Sequence, residues 1–121
     1  MYATFTSGSD TIKLDLSGSI ISVDYYCDYI NSGTGLQVQY NTESSVGTYP
    51  LVPSPSVGTT NQVQAISVYN KASNTITVTV GYYISTNEWI LISIDLAANY
   101  TLTYTADGDG WQVYNTNGGR V

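Results

Sequence analysis

The sequence predicts an all-β fold, an antiparallel β-sandwich or jelly roll of about eight or nine short strands. Three observations predict it. Apolar and polar residues alternate with a period of two along nearly the whole chain. No window carries a helical period, and Thr, Val, Ile and Tyr dominate, residues that suit a pleated, half-buried surface. Between the alternating runs lie "SGSD", "LSGS", "NSGTG", "NKASN", "STNE" and "ADGDG", which are turn chemistry. At 121 residues the chain is one domain, 1–121. Area scaling gives roughly 6,400 Å² of folded surface against roughly 19,000 Å² unfolded, so one real core forms without staples.

In "TIKLDL", Ile12, Leu14 and Leu16 oppose Thr11, Lys13 and Asp15. "SIISVDYYCDY" sets Ile21, Val23, Tyr25, Cys27 and Tyr29 against Ser22, Asp24, Tyr26 and Asp28. "LQVQYN" sets Leu36, Val38 and Tyr40 against Gln37, Gln39 and Asn41. In "QVQAISVYN", Val63 and Ile66 fall in opposite phases, the mark of a bulge or of a strand buried on both faces. "TITVTVGYY" opposes Ile76, Val78, Val80 and Tyr82 to a threonine ladder, Thr75, Thr77 and Thr79. "EWILISIDL" places Ile90, Ile92, Ile94 and Leu96 on one face, with Trp89 in the other phase and so exposed or at an interface. "NYTLTYT" puts Tyr100, Leu102 and Tyr104 opposite Thr101, Thr103 and Thr105, and Trp111 and Val113 share a face that packs beside Tyr104.

Residues 41–61 differ. They hold all three prolines, Pro50, Pro53 and Pro55, whose spacing favours an extended path. The segment reads as an arm or long loop that crosses the sandwich or reaches a neighbour, or as a surface loop, with room for a short strand at "VGTY".

Charge is scarce. Charged residues are 10% of the chain, the net charge is −6, and the cations are Lys13, Lys71 and Arg120. Nucleic acid and acidic membranes both require more cations than that, so neither is an expected partner. Cys27 is the single cysteine, which excludes an intrachain disulfide and a thiolate metal cluster; it reads as a small buried hydrophobe. The start, "MYATFTSGSD", has no basic segment followed by an apolar stretch, so the expected product keeps its Met1 and is made in the cytoplasm without a signal peptide.

Catalysis is disfavoured. Without histidine the usual general base and commonest transition-metal ligand are missing. Asp107 and Asp109 share one glycine-rich turn, whereas paired catalytic carboxylates face each other across a cleft. Counting from Asp107, the twelfth position of a calcium loop is Gly118 rather than glutamate, so "DGDG" reads as a hairpin. "NYT", 99–101, matches the glycosylation triplet without a secretion signal. No catalytic residue, metal ligand or cofactor is expected.

From Val63 to Val121 the chain resembles a pattern of small tailed-bacteriophage structural proteins. The segments are "VQAISVYNKASNTITVTVGYY" and "WILISIDLAANYTLTYTADGDGWQVYNTNGG". They contain Asn70, the Thr75–Val80 strand, Leu96, the Thr101–Thr105 strand, the acidic-glycine turn, Trp111 and Asn117-Gly118. The chain departs from the pattern at Ala98-Asn99, where Pro-Gly is common, and at Gln62, where an arginine is common. The resemblance implies a virion component: a capsid decoration (cement) protein, or a tail, fibre or adaptor part. It implies localisation in the virion after assembly in the host cytoplasm, capsid or tail proteins as partners, and no catalytic residues.

Together these readings give a non-enzymatic protein that self-associates, with a trimer favoured, and binds capsid subunits. Its expected contact residues are Trp89, Tyr49, Pro50, Leu51, Val52 and Pro53. A carbohydrate-binding or receptor-binding module is the alternative, motivated by the twelve tyrosines and the low charge.

Overall fold

A computed structural model describes residues 5–7, 10–108 and 110–121. It is an all-β sandwich of two antiparallel sheets. Its strands are β1 (Phe5–Ser7), β2 (Thr11–Ser17), β3 (Val23–Asn31), β4 (Gly35–Glu43) and β5 (Gly47–Val52), followed by β6 (Thr60–Asn70), β7 (Ile76–Ile84), β8 (Asn87–Leu96), β9 (Thr101–Thr105) and β10 (Gly110–Tyr114). One sheet has the order β10-β9-β6-β3-β4, with β1 on β6 beyond the end of β9; the other has the order β5-β2-β7-β8. Hairpins β3–β4, β7–β8 and β9–β10 stay within a sheet, and the remaining connections from β2 onward cross between sheets.

Period-two alternation sends one phase of each sheet inward. Ile12, Leu14, Leu16, Ile76, Val78, Val80 and Leu96 meet Val23, Tyr25, Cys27, Val63, Ile66, Val68 and Leu102 in one buried cluster. Trp111 lies opposite Tyr104 in the β9–β10 register, ring centroids 4.9 Å apart and tilted 46°. Since β10 is an edge strand, Trp111 is half-buried against the core rather than enclosed by it.

Two bulges set the phases. In β6 the pairing with β3 jumps from Asp28↔Ala65 to Tyr29↔Val63, leaving Gln64 over. Both Val63 and Ile66 therefore face inward despite their odd spacing. In β8 the pairing jumps from Val80↔Ile92 to Gly81↔Ile90, leaving Leu91 over. This corrects the single face read for Ile90, Ile92, Ile94 and Leu96. Leu91 turns in with Ile92, while Ile90 is 61% exposed. Glu88 folds across Gly81 so closely that any Cβ there would collide with its carboxylate.

The 41–61 segment is not one long arm. It holds the end of β4, the strand β5 and a loop at 53–59. β5 pairs with β2 through Leu14↔Tyr49 and Ile12↔Val52.

Buried asparagines close both ends of the central β3–β6 pair. At one end the Asn70 amide donates to the carbonyls of Asn74 (2.9 Å), Leu96 (3.0 Å) and Ala97 (3.2 Å), and its Oδ1 accepts from the Ala72 N–H. At the other end Asn31 donates to Asn61 Oδ1 (2.8 Å), and Asn61 donates to the Pro53 carbonyl (3.0 Å). Asn70→Ala strips the donor from three carbonyls on two connections, the Leu96 carbonyl being fully buried. It should lower unfolding stability by about 3 kcal/mol in urea titrations; a loss under about 1 kcal/mol would show that the clasp is dispensable.

Candidate functional site

Two hollows on this sandwich are both open to solvent. The surface chemistry is decided by which strand phases face solvent. β4 is the clearest case. Its partner β3 directs Tyr25, Cys27 and Tyr29 inward, and the register places Asn41, Gln39 and Gln37 opposite them. The apolar phase of β4 is thereby forced outward: Leu36 is 63%, Val38 46% and Tyr40 74% exposed. Across the ladder they meet Ile30, Asp28 and Tyr26 of β3, so an apolar and tyrosine-rich strip runs along the outer face.

β4 is also an edge. Among the described residues it pairs with β3 alone. The other edges are blunted: β1 has three residues, β5 is short and carries Pro50, β8 is bulged at Leu91, and β10 has the C-terminal segment folded onto it. That segment adds the Tyr114↔Arg120 bridge and a bond from the Val121 N–H to the Val113 carbonyl at 2.7 Å. β4 has nine residues, no proline, no bulge and one charge, Glu43, at its end.

Of the contact residues expected from sequence, Trp89 is 54% exposed at the hairpin end of β8, near exposed Ile84 and Ile90. The bulge at Leu91 sets it opposite Tyr82, in the inward phase, but on an edge strand that leaves it exposed among the described residues. Pro50 and Pro53 are exposed and Tyr49 is half-buried. Leu51 and Val52 are wholly buried, which removes both from any contact surface: the end of β5 packs them into the core. The strip on β4 was not among the expected contacts, because alternation by itself does not say which phase faces the core.

Among the described residues no three His, Cys, Asp or Glu side chains cluster. Each of seven carboxylates accepts a hydroxyl instead. Four bonds join directly opposed cross-strand residues: Thr48–Asp15, Thr42–Asp24, Thr77–Asp95 and Tyr83–Glu88. Tyr82–Asp10, Tyr25–Glu43 and Tyr26–Asp28 complete the set. Asp107 sits on the exposed β9–β10 turn, and Asp109 lies outside the described residues.

Asp24 is the most supported of these. Thr42 Oγ1 donates to its Oδ1 at 2.6 Å and Lys71 Nζ sits 2.9 Å away, and these bonds hold its carboxyl below the ordinary value. Around it a cleft of about 520 Å³ opens on the outer face, lined in part by Tyr26, Tyr40 and Tyr69. A smaller hollow of about 160 Å³ lies beside the 53–59 loop, lined in part by Asn31 and Pro55. Cys27 is buried, and desolvation pushes its thiol up to about 12, so it is an inert filler.

No protein-family model, curated protein or solved structure matches this chain.

Burial, reinforced by an adjacent carboxylate, raises the phenols of Tyr25, Tyr82 and Tyr83 to about 12. A raised pKa means that the folded state holds the proton more tightly than the unfolded chain. The stability these groups contribute is therefore complete below the unfolded value of 10 and is lost as pH climbs towards 12. Urea midpoints should fall across that window, and Tyr25→Phe should make the fall shallower. An unchanged slope in that variant would remove Tyr25 from the explanation.

Proposed function

We propose that this chain is a non-enzymatic virion structural protein that self-associates and binds capsid subunits as a decoration protein. The observation that carries the reading is β4, an unblunted nine-residue edge whose apolar phase faces solvent. Such an edge offers a row of backbone donors and acceptors to another strand. Leu36 and Val38 add apolar area beside that row without any charge to desolvate.

Two distinct apolar surfaces also favour a ring over a two-fold pair. β4 ends one sheet next to β5, and the Trp89–Ile90 region lies on β8, at the opposite end of the facing sheet. A head-to-tail contact uses two different patches and closes into a ring, whereas a two-fold contact uses one patch twice. A trimer is the smallest such ring. The resemblance of the Val63–Val121 half to small phage structural proteins supports the virion setting, and the hydroxyl-bonded acids support binding over catalysis. A tail, fibre or adaptor part uses the same surfaces.

Sedimentation equilibrium of the purified chain should return about three times 13.1 kDa. Val38→Lys and Trp89→Lys should each reduce it to a monomer with the fold intact by circular dichroism. A wild-type monomer at about 100 µM, well above the Kd of a specific assembly, would remove self-association. A dimer broken by Val38→Lys alone would replace the ring with a two-fold edge pair. Independently, quantitative mass spectrometry of particles from a genome encoding the chain should find it at a regular copy number; absence from the particle would remove the virion reading.

A further inference from the structure

We infer that the outer face of the β4–β3–β6 region binds a short, uncharged saccharide in the cleft beside Asp24. The inference does not depend on the assembly reading. Two adjacent rows of the sheet build the floor. The register sets Tyr40, Tyr26 and Ser67 across one row, and Thr42, Asp24 and Tyr69 across the next. Ser67 and Thr42 are short and the tyrosines are tall, so the grid is hollow between its aromatic members. The resulting volume, about 520 Å³, lies within the range of small-ligand sites, roughly 300–1,000 Å³.

The chemistry of the grid selects the ligand class. Tyr40 presents most of its ring to solvent and Tyr26 is partly exposed. Flat aromatic faces with hydroxyl tips suit a ring that is apolar on its C–H face and polar at its rim. Asp24 supplies a fixed acceptor for hydroxyl pairs: its Oδ1 takes Thr42 and Lys71, and no bond to its Oδ2 occurs among the described residues. A cationic ligand fits less well, because Lys71 already neutralises Asp24 at 2.9 Å. A phosphorylated ligand is disfavoured by the same pairing, which occupies the cation at the cleft, and by the net charge of −6. What remains is a neutral polyhydroxy ring. Trp89, on β8 of the other sheet, is not part of this site.

The test is saturation-transfer difference NMR on the full chain with methyl glycosides of glucose, galactose, mannose and N-acetylglucosamine, and choline as the cationic probe. At least one glycoside should receive saturation. Tyr40→Ala should weaken its binding about tenfold without moving the melting temperature, since the ring is largely in solvent. Asp24→Ala should weaken it as well, and Trp89→Ala should leave it unchanged. No transfer to any glycoside, transfer to choline alone, indifference to Tyr40→Ala, or loss through Trp89→Ala would each overturn the assignment. Monomeric variants that still bind separate this result from the fate of the ring.

Discussion

The fold depends on asparagine amides buried at the two ends of β6. A sandwich whose chain crosses repeatedly between sheets must bring turn carbonyls into places that water does not reach. Each such carbonyl needs a donor or costs the fold its desolvation free energy. Asn70 meets that need for three carbonyls at once, and its own backbone bonds Tyr100 and Asn99 across the strand ends. The β6–β7 and β8–β9 connections are thereby held to one point. At the far end Asn61 donates to the Pro53 carbonyl, and Asn31 Oδ1 accepts from the Gly33 and Thr34 N–H groups. With its ends fixed, the β3–β6 ladder has one register, and every other facing follows from it.

The orientation of β4 is the main consequence. Strand register is a rigid constraint: once β3 commits Tyr25, Cys27 and Tyr29 to the core, the residues opposite them must point the same way. The polar phase of β4 is carried inward at the margin of the sandwich, where Gln37 and Gln39 remain half-exposed, and the apolar phase is carried out. The fold accepts an inverted strand there because β4 is an edge, where neither face is fully enclosed. Leaving a long, flat, weakly charged edge open costs solubility unless something pairs with it. That pressure ties the register of the core to the exposed face of β4.

Much of this was legible in the sequence, and the illegible parts share a cause. Alternation located nearly every strand, and the slip between Val63 and Ile66 was readable as a bulge because it broke the pattern. The bulge at Leu91 was not, because Ile90, Ile92 and Ile94 alternate without interruption and "WILI" is apolar in both phases. β5 was half legible: the short strand allowed at "VGTY" is its first part, and Pro50 hid the continuation to Val52, tolerated because β5 is an edge. The Ala98-Asn99 turn shows the reverse. Asn99 has a φ of 64° and the Tyr100 N–H bonds the Ala97 carbonyl, so Asn99 fills the left-handed position that a glycine would otherwise take. The cleft was invisible because its residues come from three strands, and spacing along one strand says nothing of neighbours two strands away.

The charge pattern gives the surface its character. Nine acids and three cations would leave most carboxylates dependent on water. Threonine and tyrosine hydroxyls, four of them on directly opposed residues, instead bond seven of the carboxylates within the fold. Hydroxyl–carboxylate bonds are local, and salt screens them less than it screens separated charges. An interface laid over such a surface need not strip a free carboxylate of its water, the step that makes charged interfaces costly. Hydroxyls placed opposite acids by register therefore lower the desolvation cost of covering this face.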